Sequence, residues 1–256
     1  MKVLAIDSSG LVASIAIAED DRLIAEYTIQ YKKTHSQTLL PMLEEVAKMV
    51  DLDLTSIDII AVSQGPGSFT GLRIGAATAK GLGLALQKPI VGVPTIESLA
   101  NQLYGVPCLI CPIMDARRGQ VYTGLYRFVE ERVADSQQEL FEYRLQTQKE
   151  QCIAQIDEIA EIINQMGEIV IFTGDGIPVY REQLASLMTV PYSFAPLNRN
   201  RQSAASIATL GYRYYKEGKI TKAGDFHPEY LRLSQAERER KEKSEENAGN
   251  KGNDRT

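Results

Sequence analysis

Short apolar runs separated by polar turns open the chain. Residues 2–7 form an apolar run closed by the carboxylate of Asp7; Ser8-Ser9-Gly10 then turns the chain, and residues 12–18 return with small side chains on alternate positions. After Glu19-Asp20-Asp21, residues 22–30 alternate, with Leu23, Ala25, Tyr27 and Ile29 on one face. A period of two marks strands, and the tight turns between them predict an antiparallel meander. The period then lengthens. Leu39, Leu40, Leu43, Val46, Ala47 and Val50 recur at helical spacing over residues 36–50, opposite Glu44, Glu45 and Lys48. Met42 and Met49 widen the apolar arc to about half the circumference. Pro41 either sits in the first turn or kinks this helix.

Residues 57–87 read as strand, glycine loop and helix. The β-branched run 57–63 ends at Gln64-Gly65-Pro66-Gly67, and Ser68 stands where an N-cap accepts the first free helix amides. The helix expected over 69–87 holds Gly71, Gly75, Gly81 and Gly83, each costing about 1 kcal/mol relative to alanine. Gly71, Gly75, Ala79 and Gly83 recur every four residues and make one stripe of minimal side chains, against which another backbone can approach closely. Arg73 and Lys80 are its only charges, in line with Gln87. A helix so apolar around its circumference is expected to be buried nearly all round, by its own sheet on one side and a partner on the other. A strand at 90–93 and a short helix from Thr95 follow.

The second half repeats this plan. Residues 108–115 are an apolar run ending in Asp115, 116–119 a turn with glycine, and 120–128 a returning strand. Residues 168–172 lead into Thr173-Gly174-Asp175-Gly176 and a helix around 180–188. The pseudo-repeat predicts an α/β fold of two related lobes with a cleft between them, the actin-like (ASKHA, ribonuclease H-like) plan. We divide the chain into an N-terminal lobe, 1–106, and a C-terminal lobe, 107–234, whose last helix, 203–216, packs on either lobe. Residues 235–256 hold six basic and six acidic side chains and no aromatic, the composition of a disordered charged tail.

Composition narrows the function classes. With 44% hydrophobic and 24% charged residues, the chain is that of a globular protein. A net charge of -5 argues against unaided tight binding to a phosphate backbone. No apolar run is long enough to span a bilayer, and the N-terminus lacks a signal-peptide pattern, so a cytoplasmic location without membrane attachment is expected. Three cysteines fit a reducing compartment.

Two carboxylates end equivalent strands, and two turns offer hydroxyls and amides. Asp7, Ser8 and Ser9, with Asp115 and with Gly174, Asp175 and Gly176, form a candidate vestigial phosphate site between the lobes. The structural alternative is that Asx and Ser turns cap themselves and glycine permits the bend. No Walker loop or dinucleotide fingerprint is present. Cys108 and Cys111 lie three apart on one strand and point to opposite faces, as buried structural thiols rather than a metal pair. His35 enters the first long helix without a matching nucleophile motif. Arg117-Arg118 and Arg199-Asn200-Arg201 read as surface turns.

Val62-Ser-Gln-Gly-Pro-Gly-Ser-Phe-Thr-Gly-Leu-Arg-Ile-Gly75 resembles the signature of the bacterial TsaB (YeaZ) family. So do Ala5-Ile-Asp-Ser-Ser9, His35-Ser-Gln-Thr-Leu-Leu-Pro41, Asp115-Ala-Arg-Arg-Gly-Gln-Val-Tyr122 and Pro228-Glu-Tyr-Leu-Arg232, so that the likeness runs from Lys2 to about Arg232. It implies a role in making threonylcarbamoyladenosine beside the anticodon of tRNA. In that system TsaC makes the threonylcarbamoyl-adenylate, TsaD transfers the group and TsaE is an ATPase. TsaB pairs with TsaD, its distant relative, each contributing its first two helices to a four-helix bundle. The expected partner interface is Leu39, Met42, Met49, Gly71, Gly75, Ala79 and Gly83.

The resemblance also implies no catalysis here. TsaD binds its metal through two histidines of a Val-Asn-His-x-Glu-Gly-His type segment, and the matching stretch has Thr95 and Leu99 in those positions. No catalytic residue, metal or cofactor is expected. The implied partners are a TsaD-like catalytic subunit, a TsaE-like ATPase through the complex, tRNA only indirectly, and a second copy of the chain when TsaD is absent. Two alternatives stand beside this: an actin-like ATPase or kinase using Asp7, Asp115 and Asp175 around a nucleotide, and a metallopeptidase, which the missing histidine pair opposes.

Overall fold

The computed structural model describes residues 1–31, 34–132 and 141–232; the expected tail, 235–256, lies outside them. The first half runs β1 (Lys2–Asp7), β2 (Ala13–Glu19), β3 (Arg22–Ile29), α1 (His35–Met49), β4 (Ile59–Gly65), α2 (Phe69–Leu86), β5 (Ile90–Pro94) and α3 (Thr95–Asn101). The second runs β6 (Leu109–Arg117), β7 (Gln120–Arg132), β8 (Phe141–Gln155), α4 (Ile156–Met166), β9 (Val170–Thr173), α5 (Ile177–Leu187), β10 (Tyr192–Phe194) and α6 (Ala204–Lys216). The sheets have orders β3-β2-β1-β4-β5 and β8-β7-β6-β9-β10. In each, the first three strands pair antiparallel and the last two add parallel. The halves therefore match strand for strand and helix for helix, which is the two-lobed actin-like fold. β8 and α4 complete the repeat where the sequence had suggested no element.

Alternation along the strands decides what covers each sheet. Leu4 and Ile6 of β1 face α1 and α2, while Val3 and Ala5 face α6. In the second sheet Cys111 and Ile113 face α4 and α5, while Ile110 and Met114 face α3. The third helix of each half thus crosses to the sheet of the other half. This settles the last helix, α6, on the N-terminal sheet. Where α3 and α6 meet, the Ser206 hydroxyl donates to the Ser98 carbonyl at 2.7 Å, and Glu97 accepts from Arg213 at 2.6 Å and from the Tyr214 hydroxyl. Among the described residues no helix is long and apolar enough to cross a membrane.

The glycine stripe of α2 turns inward. Ser68 caps the helix as expected, accepting from the Gly71 amide at 3.3 Å. A Cβ on Gly71 would lie 2.1 Å from the Ser8 carbonyl oxygen, and one on Gly75 2.4 Å from the Ser8 hydroxyl. Gly83 meets the Ala223 methyl at 2.8 Å, and Ala79 is fully buried. Leu39 and Met42 are buried in the same core. Of the seven residues expected at the partner interface, only Met49 is exposed; the other six are covered by their own lobe. The stripe accommodates the turn after β1 rather than a second subunit. Pro41 lies in the second turn of α1, not the first.

Gly71→Ala and Gly75→Leu should therefore destabilise the isolated chain by about 1–3 kcal/mol or more, as overpacking of a tight contact does. Thermal denaturation checks this, and an unchanged midpoint for both would contradict the inward packing.

Candidate functional site

Two regions carry functional candidates: the interlobe turns and the outer helix pair. At the first, Asp7 is fully buried. Its Oδ1 accepts the Ser9 amide at 2.9 Å and the Ser9 hydroxyl at 2.7 Å, while Oδ2 has no partner among the described residues. Burial raises its pKa, and the bonds from Ser9 only partly oppose this. The Ser8 hydroxyl donates to the Gly71 carbonyl at 2.9 Å. Both serine hydroxyls thus donate within the chain.

The amides that would cradle a phosphate are occupied as well. The Ser68 amide donates to the Ser9 carbonyl at 2.7 Å, and the Gly176 amide to the Ile113 carbonyl at 2.9 Å. Gly174 has φ +105° and lies so close to β6 that a Cβ would sit 2.3 Å from the Ile113 oxygen; the turn requires glycine for this contact. Asp115 accepts from the Arg117 amide at 2.8 Å and the Tyr180 hydroxyl at 3.1 Å, and pairs with the Arg117 guanidinium at 3.3 Å. Asp175, its pKa raised by burial, accepts from the Gln202 amide nitrogen at 3.3 Å.

Gln202 had no signal in the sequence. It lies in the loop before α6, is buried, and its amide passes within 2.5 Å of where a Gly10 Cβ would be. One side chain thus bridges the Asp7–Gly10 turn and the Asp175 loop, and beside it Ser9, Gly10, Ser68, Asp115 and Asp175 line an open pocket of about 360 Å³. Only the fold brings these segments together.

Hydrolase chemistry finds no support here either. His35 Nε2 is 2.9 Å from the Gly10 carbonyl, and no serine–histidine hydrogen bond occurs among the described residues. Thr95 and Leu99 are buried in α3. The Cys111 thiol is buried beside the Thr123 hydroxyl at 3.4 Å, and burial pushes its pKa up to about 12.

The outer helix pair presents a different surface from the one expected. The Arg73 guanidinium stacks 4.0 Å over Phe69 and its Nε donates to the Tyr230 hydroxyl at 3.3 Å, while Lys80 donates to the Phe226 carbonyl at 3.0 Å. Both charges of α2 are thus tied to the segment after α6, which runs back along this helix. That strap pairs Thr221 with Ile90, buries Phe226, bonds the Glu229 amide to the Gln64 carbonyl at 2.7 Å, and ends with Arg232 donating to the Ala116 carbonyl at 2.6 Å. Left exposed on α2 are Thr70, Arg73, Ala77, Gly81, Leu84 and Ala85, and a Cβ on Gly81 would meet nothing within 4 Å. Leu40 and Met49 of α1 are exposed too, but nine residues apart they lie on opposite sides of that helix, Met49 lining a groove against β3. Ala77, Gly81 and Ala85 also recur every four residues, so the sequence holds two small stripes on opposite faces of one helix.

A family model described as TsaD, tRNA N6-adenosine threonylcarbamoyltransferase, matches residues 22–240. The chain is 33% identical over 244 residues to a Bacillus subtilis protein named tRNA threonylcarbamoyladenosine biosynthesis protein TsaB, covering 93% of this chain and 96% of that one. An Escherichia coli protein of the same name is 35% identical over 130 residues, which are 50% of this chain and 55% of that one. Among solved structures, YeaZ from Pseudomonas aeruginosa superposes with a TM-score of 0.72 at 26% identity, covering 90% of this chain and 99% of that one. A second Pseudomonas aeruginosa structure, described as similar to the peptidase YeaZ, gives 0.70 at 27% identity, with the same coverage.

Asp7→Asn tests whether the Asp7 carboxylate matters as a charge. Because burial raises its pKa, the native protein holds this proton to higher pH than the unfolded chain. The stability this contributes below the ordinary carboxylate value of about 3.9 is lost as pH rises through the raised pKa. The asparagine carbonyl keeps both bonds from Ser9 without a charge. The variant should therefore be the more stable at pH 7, with the difference closing as pH falls toward 4. Urea denaturation across that range measures it, and a variant less stable at pH 7 would contradict the account.

Proposed function

The chain belongs to the TsaB family, and on that premise we propose that it is a non-catalytic subunit that pairs with a TsaD-like transferase through the exposed faces of α1 and α2. Membership gives it a part in tRNA threonylcarbamoyladenosine biosynthesis. In the finer reading it holds the catalytic subunit in its active arrangement while adenosine beside the anticodon is modified in the cytoplasm, and it meets a TsaE-like ATPase through that assembly. Without its partner the same surface pairs two copies of the chain.

The observation that carries this is the open, small-residue face of α2. Gly81 has free space where its Cβ would be, Ala77 and Ala85 flank it one turn away, and Leu84 is exposed on the same side of the helix. Lys80 is tied to the strap, while Arg73, four residues before Ala77 and exposed, borders this face against Phe69 and Tyr230. A second helix can approach a surface of this kind closely, and dispersion over the contact offsets the helix-propensity cost of glycine. The matched model bears the name of a transferase, but Thr95 and Leu99 offer no nitrogen ligand where that enzyme's metal-binding histidines are expected. The alternative, an ATPase or kinase with nucleotide between the lobes, has in its favour the pocket lined by Ser9, Asp115 and Asp175, and is opposed by the occupied Ser68 and Gly176 amides.

Gly81→Leu separates docking from folding. Nothing in its own lobe obstructs the new side chain, and leucine is the better helix former by several tenths of a kcal/mol or more. The isolated variant should melt at or above the parent temperature yet lose TsaD pairing in calorimetry and tRNA modification in a reconstituted assay. Pairing at the parent affinity would refute this docking face.

The same substitution should abolish self-association of the isolated chain, and light scattering across micromolar concentrations measures it. A parent that stays monomeric throughout would contradict the homodimer. Calorimetry with magnesium-ATP on the isolated chain should show no binding; tight binding with turnover would favour the ATPase.

A further inference from the structure

The strap, the start of α2 and the β6–β7 turn bring four arginines to the rim of the interlobe cleft. Arg73 on α2 bonds Tyr230; two residues on, Arg232 bonds the Ala116 carbonyl; and Ala116 leads directly into Arg117 and Arg118. Arg117 and Ser68 line one pocket, which places the turn opposite the start of α2. Arg117 and Arg118 stand in the left-handed region with φ of 68° and 59°, a conformation that carries a cost in most side chains. Asp115 holds the turn through the Arg117 amide and guanidinium, yet the Arg117 side chain is still 81% exposed. Arg73, Arg118 and Arg232 have no ion pair among the described residues, as is true of Arg22, Arg132, Arg181, Arg199 and Arg201 elsewhere; what sets the three apart is their grouping with Arg117 at one rim. The acids near the rim are Asp115, already paired, Glu229 on the strap, and Asp175 in the cleft below. Beside the guanidinium groups, the half-exposed Tyr230 ring leans on Phe69 at 4.8 Å as a tilted aromatic pair.

We propose that this rim is a contact surface for the phosphodiester backbone of RNA, with Arg73, Arg117, Arg118 and Arg232 facing phosphates and Tyr230 offering a stacking face. The proposal rests on the pairing described above, and it gives the chain a direct hold on the tRNA that its partner modifies. Guanidinium forks match phosphate oxygens, and arginines left without acids in a chain of net charge -5 are suited to a polyanion. The overall negative charge keeps the contact weak in the isolated chain. It contributes when the catalytic subunit supplies the remaining contacts, as linked sites do.

Labelled anticodon stem–loop RNA, titrated against the full chain alone at low salt and against the reconstituted complex across a salt series, tests this. Arg118→Asn removes the charge and suits the left-handed turn, since asparagine tolerates that conformation. Its RNA affinity should fall about three- to tenfold in both settings, with the slope of log affinity against log salt reduced by about 0.7–0.9. Arg118→Lys should restore most of both. Arg144→Asn, the same charge change away from the rim, should have a clearly smaller effect. Equal losses from Arg118→Asn and Arg144→Asn, or no loss from the former, overturn the proposal. So does weakened pairing of Arg118→Asn with the catalytic subunit in the absence of RNA, which would assign the rim to a protein partner. The arm with the chain alone needs no partner, so it stands even if the parent fails to pair, the result that would instead refute the function proposed above.

Discussion

The contact between α2 and the turn after β1 is a backbone-to-backbone approach, and most of the first lobe is arranged around it. Gly71 and Gly75 allow the helix to lie against Ser8 closely enough for the Ser8 hydroxyl to donate to the Gly71 carbonyl. The same approach lets the Ser68 amide reach the Ser9 carbonyl. Helix, glycine loop and β1 turn are thereby joined by hydrogen bonds that no larger residue at these positions would permit. Four glycines in one helix would destabilise it in isolation; in the folded lobe, the packing of three of them offsets part of that cost, and Gly81 is left without an intramolecular reason.

That asymmetry connects fold to function. Every small residue on the inner face of α2 touches the chain itself, while Gly81, with Ala77 and Ala85, faces open space. The strap draws Lys80 aside into contact with Phe226 and holds the exposed Arg73 against Tyr230 at one end of that outer face. It also ties this helix to the second lobe, since Arg232 ends on Ala116. The crossing of α3 and α6, each onto the other half's sheet, adds a second connection, so the cleft is bounded on several sides by contacts between the halves. Gln202 sits within that boundary, bridging the Gly10 turn and Asp175 beside the open pocket.

The sequence by itself determined a good deal. Short, near-continuous apolar runs located β1 and β2, because strands covered on both faces bury every side chain, and period-two alternation located the more exposed β3. The repetition of strand, glycine turn and helix revealed the two lobes, and Ser68 declared its cap because N-capping depends on neighbours three residues away. The presence of a small-residue stripe on α2 was legible for the same reason, as was the family likeness carried by contiguous blocks. What the tertiary structure alone decided was which partner each surface meets. Spacing of four residues defines the stripe 71–75–79–83 and the stripe 77–81–85 equally well, and only the position of Ser8, more than sixty residues earlier in the chain, makes the first inner and the second outer. The exchange of α3 and α6 between sheets, the strap over Arg73 and Lys80, and Gln202 between Gly10 and Asp175 are likewise contacts between segments far apart in sequence. Local pattern encodes that a face will be buried; the long-range packing of the whole chain determines by what.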